Sequence, residues 1–450
     1  MEPNPSMPIQ DFPSQLQSII QQDYLDREFQ DGLKSKLGYR AVADREPFPN
    51  AIGETLTKTR KGLKAPVTTP LTPSSNTNFD NGLTPSTWSV EQYTNTINMY
   101  GDTIDLNMVT EGVGIAKQFM ANAKTNGTQA QQSLDRFARN ALFGNPGGVG
   151  GYLGGNTRVR VTLGSAAATI SVDDIRGFQQ VFNAEGQLVN VASGNTMTVT
   201  VGSNSYTLIG ATADGTNVST APNGVSGTLT FNSNVTTGDG TAGNAVTSAV
   251  APAIFRPNGR ATTALLQSGD TLLMQTILAG VAQLRMNNVP DIDGAYNTYL
   301  DDQQLLGLFK DPDFKELYRG AYSSAEYRRG QVFELLGSRF IPTTEAPQQA
   351  SLGAGPIHRA LMLGQGSLIE GDYVGMAASD IPDAEKALIK RIDDVVMVTR
   401  PPLDRLRQII AQSWYWVGGF CLPTDMTANP NIIPTASNAY LKRGVMLESL

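Results

Sequence analysis

The chain has 450 residues, with 34 lysines and arginines against 41 aspartates and glutamates, a formal net charge of −7. That balance argues against a general nucleic-acid binder, which needs a basic excess to displace the counterions of phosphate. The single cysteine, Cys421, excludes an intrachain disulfide, and a 40% hydrophobic content can fill the cores of two or three structural units. No apolar run approaches bilayer length, and the opening MEPNPSMPIQDF lacks the basic-then-apolar order of a signal peptide. The expectation is a soluble, loop-rich protein with 45 glycines and 25 prolines.

Residues Met1 to Gln10 are proline-rich and expected to be flexible. Ser14 to Leu37 reads as an amphipathic helix, with Leu16, Ile19, Ile20, Leu25, Phe29 and Leu33 near one side. Such a helix needs a partner surface, on its own domain or on another subunit. Thr55 to Lys61 and Trp88 to Asn98 suit strands, and the Pro/Thr/Ser/Asn-rich tract Pro66 to Pro85 joins them into an extended arm. Lys58, Arg60, Lys61 and Lys64 make the arm locally basic. That cluster fits a solvated strand face or, together with Trp88, a contact with a neighbouring acidic surface. No glycine-rich cradle supports phosphate binding.

Asp102 to Lys124 is read as a helix on Ile104, Met108, Ile115, Phe119 and Met120. Asn126-Gly-Thr is expected to break it, and Ala130 to Phe143 to form a second helix closed by Gly144. The run GNPGGVGGYLGG, Gly144 to Gly155, lacks the Lys-Ser/Thr ending of a phosphate loop and reads as a hinge or linker. From Arg158 to Phe255 strand-like runs dominate: Val159–Leu163, Thr196–Val201, Ser205–Ile209 and Thr228–Phe231, with a short helix at Asp173 to Phe182. From Gln187 onward only Asp214 and Asp239 are charged there, which points to a small all-β domain.

The stretch Gln267 to Asp302 reads as the scaffold of the chain. Leu273, Ile277, Leu278, Val281 and Leu284 make an apolar stripe over roughly five turns. Ser268 or Asp270 is the expected N-cap, and Asn287, Asn288 and Pro290 the stop. A strand at Ala295 to Leu300 follows, then two short helices within Gln303 to Tyr318 broken at Pro312. Gln331–Leu336 and Ser338–Thr344 read as paired strands around Gly337, with further strands at Arg359–Leu363 and Val395–Thr399. Leu403 to Val417 reads as a helix on Leu406, Ile409, Ile410 and Trp414, and Thr435 to Leu450 as a short strand or tail.

Chemistry is sparse. The one histidine, His358, reads as a surface or packing residue, and with one cysteine the usual zinc sets are unavailable. Asp291-Ile-Asp293-Gly lacks the downstream ligands of a calcium loop, and no nucleophile elbow or nucleotide fingerprint occurs. Asp301/Asp302 and Asp393/Asp394 suit solvated turns. No catalytic, cofactor-binding or metal residue is assigned, and the chain reads as a structural protein.

Four stretches carry a family resemblance: REPFPNAIGETLTKTRKGL (Arg45 to Leu63), Leu284 to Phe314 with its Asn-Val-Pro and Gly-x-Tyr pieces, GQVFELLGSRFIPTTEAP (Gly330 to Pro347), and Leu403 to Phe420. Together they resemble a tailed-phage major capsid protein of the Hong Kong 97-like fold. The resemblance implies an α+β fold with an N-terminal arm (1–44), an extended loop (45–98), peripheral-domain helices and linker (99–157) and an inserted β domain (158–255). A peripheral-domain long helix (256–302) and an axial domain with the C-terminal segment (303–450) complete it. It implies self-assembly into hexamers and pentamers, no cofactor, no enzymatic activity and no membrane. Portal and scaffolding proteins are the implied partners, with room for a decoration protein, around DNA held without sequence-specific binding. Some relatives crosslink a loop lysine to a neighbour's asparagine. Lys58, Lys61, Lys64, Asn287 and Asn288 are available for that, but no assisting acid stands out. The leading alternative is an extracellular or tail-associated β-rich adhesin, and a second is an enzyme with an undetected carboxylate pair.

Overall fold

The computed structural model describes residues 12–13, 16–17, 20, 24–33, 38–48, 55–61, 67, 70, 90–108, 114–144, 151–182, 188–215, 225–249, 251–260, 263–319, 334–349, 355–373, 388–402, 404–406, 408–423 and 441–450. Met1 to Gln10 and nearly all of the Pro66 to Pro85 tract lie outside them.

Helix α1 (Tyr24–Leu33) is followed by strands β1 (Ala43–Phe48), β2 (Thr55–Lys61), β3 (Val90–Thr96) and β4 (Asn98–Asn107), then helix α2 (Ile115–Gly144). The apolar side of the N-terminal segment docks on its own chain. Leu16, Ile20, Leu25, Phe29 and Leu33 share one core with Phe119, Ala123, Ala130 and Leu134 of α2. Two expectations fail between residues 102 and 144. Asp102 to Asn107 is strand, because Ile104 and Leu106 alternate with polar residues and pair with a long neighbouring strand. The Asn126-Gly127 pair does not stop α2, which runs for 30 residues. Gly127 is where α1 crosses: a Cβ there would lie 2.3 Å from the Phe29 carbonyl oxygen. The glycine serves close helix packing, and tertiary contact overrides its poor helix propensity.

A separate β-structure follows: β5 (Asn156–Arg158), β6 (Ala167–Val172), β7 (Gln180–Phe182), β8 (Leu188–Asn190), β9 (Met197–Val201), β10 (Asn204–Ala213), β11 (Gly227–Val235) and β12 (Ala245–Ser248). Six of these strands form a sheet in the order β5-β12-β9-β10-β11-β6. Val159 bridges to Val172, the Arg160 N–H donates to the Ser171 carbonyl at 2.8 Å, and the Asp173 N–H to that of Arg158. The two edges therefore meet at residues 158–160 and 171–173, and the sheet closes there into a barrel. Its interior is its own: Ile170, Val172, Val199, Val201, Leu208, Leu229, Phe231 and Val246 pack together. The short helix expected at Asp173 to Phe182 is absent. The Asp174 carboxylate instead accepts the backbone N–H groups of Arg176 and Val225, a local bond that competes with helix, and Gly177 takes φ +80°. The last residues of the stretch form β7, paired with β8.

The chain then adds β13 (Ile254–Phe255), α3 (Met274–Met286), β14 (Tyr296–Leu300), α4 (Asp302–Lys310) and α5 (Pro312–Arg319). Strands β15 (Glu334–Leu335), β16 (Ser338–Pro342), β17 (Gln348–Gln349), β18 (Ile357–Leu363), β19 (Leu368–Tyr373), β20 (Ile389–Ile392), β21 (Val395–Arg400), β22 (Ile409–Cys421) and β23 (Gly444–Ser449) follow. One sheet runs β13-β23-β18-β14-β16-β15, with β17 on β18. Its β14, β18 and β23 are buried at every position because cores lie on both faces, α3 covering one of them. The other runs β1-β19-β22-β21-β20, with β4 added on β22 and α2 packed across it.

Two more expectations are corrected. Helix α3 spans 13 residues, so the longest described helix is α2. Neither Ser268 nor Asp270 caps α3: its first N–H, on Met274, donates to the Asp311 carboxylate at 2.7 Å, a cap supplied from 37 residues away. Asp270 is occupied by Asn258, Arg260 and the Gln267 N–H. The expected helix Leu403 to Val417 is largely the 13-residue strand β22, whose burial alternates from Ile410 through Gln412, Trp414 and Trp416. The spacing of Leu406, Ile410 and Trp414 fits both periods, and pairing with β4 and β21 selects the strand. The α+β class stands, as do the two short helices parted at Pro312, the stop at Asn288 (φ +55°) and the hairpin around Gly337.

Candidate functional site

Among the described residues no three His, Cys, Asp or Glu side chains converge as metal ligands, and no helix is long and apolar enough to cross a membrane. Cys421 is buried. His358 is a buried packing residue whose Nδ1 meets the Asp301 carboxylate. Asp301 also caps α4 through the Gln304 N–H at 2.8 Å and accepts from Gln348. Burial alone would push the Asp301 carboxyl up, but His358 and the Gln304 N–H bring it below its ordinary value.

The surfaces are more informative. Strands β2 and β3 pair from Thr55 with Thr96 to Lys61 with Val90, and with no other strand among the described residues. Thr55, Thr57, Thr59, Thr94 and Thr96 are exposed. The hairpin is held at its middle pair by Glu46 of β1, which accepts from Lys58 at 2.5 Å and from the Tyr93 hydroxyl at 3.0 Å. Of the residues singled out by sequence, Lys58 thus spends its charge within the chain. Arg60 and Lys61 are at the far end of β2, and Lys64 and Trp88 lie outside the described residues.

The body beneath the hairpin is fastened by ion pairs, from half-exposed to fully buried, that sequence reading missed. Arg40 joins Glu370 at 2.6 Å and Asp394 at 3.3 Å, and Arg45 also reaches Asp394. Arg136 and Arg139 both hold Glu345, and they keep its carboxyl below the usual range. Glu448, 2% exposed, sits between Arg256 at 2.8 Å and Arg359 at 3.1 Å and accepts the Thr263 hydroxyl. Burial opposes its ionisation, yet the two guanidinium groups hold the Glu448 carboxyl below its ordinary value. Partners so distant in sequence leave no local signal. A cavity of about 300 Å³ lies where the end of α2, the 344–348 loop and the barrel root meet, lined by Arg139, Phe143, Leu153 and Arg176.

The barrel's three arginines are each held by an aspartate. Arg158 pairs with Asp173, Arg160 with Asp214 and Arg176 with Asp174. Asp239 accepts from the Tyr206 hydroxyl, the Asn204 amide, the Ser203 N–H and the Thr236 hydroxyl, which lower its carboxyl to about 2. Its outward face carries hydroxyls: Thr247 beside Thr200 beside Ser205, and Thr198 beside Thr207, in adjoining rows.

No family model matches the chain, and no curated protein does. Among solved structures, the capsid of Ralstonia phage GP4 is similar at 11% identity, over 92% of this chain and 91% of that one, with a TM-score of 0.48. The capsid of cyanophage P-SCSP1u gives 10% identity over 92% and 88%, with a TM-score of 0.46. The capsid of Helicobacter pylori bacteriophage KHP30 gives 8% identity over 92% and 89%, with a TM-score of 0.43.

Proposed function

We propose that this chain is a phage major capsid protein, building the hexamers and pentamers of an icosahedral head around a DNA genome. The observation that carries the reading is the β2–β3 hairpin. Among the described residues its strands pair only with each other, and a lone two-stranded hairpin is marginal in water. Beyond the hold that Glu46 of its own chain has on Lys58 and Tyr93, the element gains its stability, and its purpose, from a surface outside its own fold. A neighbouring copy supplies one, and repeating the contact around a ring closes it. The order of hairpin, α2, β-structure, α3 and strand-rich C-terminal part follows the order the sequence resemblance implies, except that the resemblance puts the long peripheral helix at 256–302, where α3 has 13 residues, and the longer helix is α2. In this reading the barrel is the inserted domain and faces outward from the shell. Lys58, Arg60, Lys61, Lys64 and Trp88 lie on the arm that reaches the neighbour. Scaffolding and portal proteins join during assembly in the host cytoplasm, and the virion shell is the final location. The acidic balance of 41 against 34 suits a lumen that encloses DNA without gripping it.

The test is negative-stain imaging of the chain co-expressed with its neighbouring structural genes. Shells or capsomers are the expected result; rods would favour the adhesin and compact monomers an enzyme. Replacing Pro66 to Pro85 with a short Gly-Ser turn should abolish shells while moving the melting temperature little, because loop length contributes weakly to stability.

A further inference from the structure

We propose that the barrel is yoked rigidly to the end of α2 and to β23, so that barrel and body turn as one piece. An inserted domain ordinarily moves relative to its host, and the glycine-rich run before this one reads as a hinge or linker in the sequence. Over residues 151–155 it is the opposite. The Tyr152 N–H donates to the Leu142 carbonyl at 2.9 Å and the Leu153 N–H to that of Phe143 at 3.3 Å, which ties the chain back onto the last turn of α2. Tyr152 and Leu153 are buried in the body's core with Ala138, Leu142 and Met446. A Cβ on Gly444 would meet the Tyr152 hydroxyl at 2.3 Å, so that side chain lies directly on the β23 backbone. Gly155 already belongs to the barrel. Its N–H donates to the Arg176 carbonyl at 2.7 Å, and its carbonyl accepts from the Ser248 N–H at 2.8 Å. Gly154 alone stands between, and its own N–H donates to the Gly151 carbonyl.

The way out is as short. The Ala249 N–H still donates to the Thr198 carbonyl inside the barrel, and the Ala253 carbonyl already accepts from the Met446 N–H of β23. Only Val250, Ala251 and Pro252 lie between them. Entry and exit are bonded to each other through Gly155 and Ser248, so the two crossings stand side by side. One strand could swivel about its own dihedrals, whereas two bonded strands move only if those bonds break. The crossing is tightened at Gly177, which takes φ +80° and whose Cβ, if it had one, would lie 2.3 Å from the Gly155 nitrogen. Asp174 fixes that loop from the barrel side, accepting from the Arg176 guanidinium and from the Val225 N–H. A load on the barrel is therefore passed to α2 and β23 instead of being absorbed by a swivel. The inference concerns a single chain and does not rest on the capsid reading.

Pulsed dipolar spectroscopy reads the joint. Spin labels go on Gln132→Cys of α2 and Thr200→Cys of the barrel, both exposed positions, while the buried Cys421 stays unlabelled. Labelled full-length chain is diluted in excess unlabelled chain, so each distance is measured within one copy, assembled or not. One distribution is expected, as narrow as that of Lys117→Cys/Gln132→Cys within α2. A broad or multi-peaked distribution would overturn the proposal. Gly177→Ala puts a side chain in the left-handed region and against Gly155. It should broaden the distribution and quicken amide exchange at Gly155 and Ser248 about 5- to 30-fold, with exchange at Val199 and Leu229 of the barrel core still slow. Gly164→Ala, at a barrel glycine with open space around it, should change neither. A folded Gly177→Ala variant with both readouts unchanged would refute the rigid joint. If that variant disrupts the barrel itself, a second one decides: Gly-Ser-Gly-Ser inserted after Gly154 and again after Ala251 leaves every barrel residue in place and should broaden the distribution. A width like the wild type's there would mean that something other than the joint holds the barrel, and would overturn the proposal. Failure of the wild-type chain to form particles bears on the capsid reading alone.

Discussion

Substituting Gly127 by alanine sets two effects of opposite sign against each other. In a helix interior alanine is favoured over glycine by about 1 kcal/mol, so local propensity alone predicts a more stable α2. The crossing with α1 predicts the reverse. The added Cβ would lie 2.3 Å from the Phe29 carbonyl oxygen and 3.3 Å from the Gly32 Cα, backbone atoms that cannot rotate aside. Ordinary contact requires the helices to part by about 1 Å, which forfeits roughly a quarter to a half of the packing energy across the gap. Leu25, Phe29 and Leu33 are the side chains held in that seam. At about 2 kcal/mol each for full burial, their weakening comes to roughly 1.5–3 kcal/mol. With Lys124 and Thr128 also obstructing relief around Gly32, the contact should outweigh propensity and leave a net loss of about 0.5–2 kcal/mol. Because the chain holds several cores, a single melting temperature would blur the effect. Amide hydrogen exchange over Tyr24 to Leu33 in the unassembled chain isolates it, and protection should fall roughly 2- to 30-fold. Protection that rises in Gly127→Ala would refute the claim that close packing is the reason for this glycine.

Glu448→Gln should cost about 3–5 kcal/mol, since it leaves the Arg256 and Arg359 guanidinium groups buried without their anion; thermal unfolding of the soluble variant reads this directly. The depressed Glu448 carboxyl contributes stability that is complete above its unfolded value of about 4.3 and lost as pH falls through its lower folded value. An acid titration by intrinsic fluorescence should show that loss in the wild type and not in Glu448→Gln. For Asp239 the same sign applies over a lower window: barrel stability should hold down to about pH 4 and fade toward about 2, and Asp239→Asn should flatten that stretch of the curve. Glu46→Ala removes the anchor of Lys58 and Tyr93, so limited proteolysis should cut the β2–β3 hairpin faster while the melting temperature changes little.

Where local chemistry decides, the sequence was legible. Pro312 parts α4 from α5, Asn288 takes the left-handed turn that ends α3, and the alternation of Thr55 to Lys61 makes a strand. It misled where a distant contact decides. Asn126-Gly127 looks like a helix break until α1 lies across it and the Asn126 amide reaches the Gln412 carbonyl. Ile409 to Val417 satisfies a helical spacing as well as an alternating one, and pairing with β4 and β21 selects the latter. The N-cap of α3 comes from Asp311, which no local pattern announces. The hydroxyl rows of the barrel were visible only as composition, a chargeless Thr/Ser-rich stretch. Their arrangement needed the strand register.

Strand β22 has a mechanical meaning. It bonds to β4 along ten consecutive pairs, from Ile409 with Asn107 to Gly418 with Asn98, to β21 beside them, and at its far end to β19. Material from residues 98–107 is thereby spliced to material from residues 369–372 and 395–400 through one continuous rod. A pull along that rod loads the β4 pairs in shear, so they must yield together, whereas a pull across it would open them one at a time. A container under pressure from within stretches its walls in their own plane. If the plane of this sheet lies in the wall, tension travels along β22 in its strong direction, and yielding should begin at the short pairings, such as the four residues shared with β19, before the ten shared with β4.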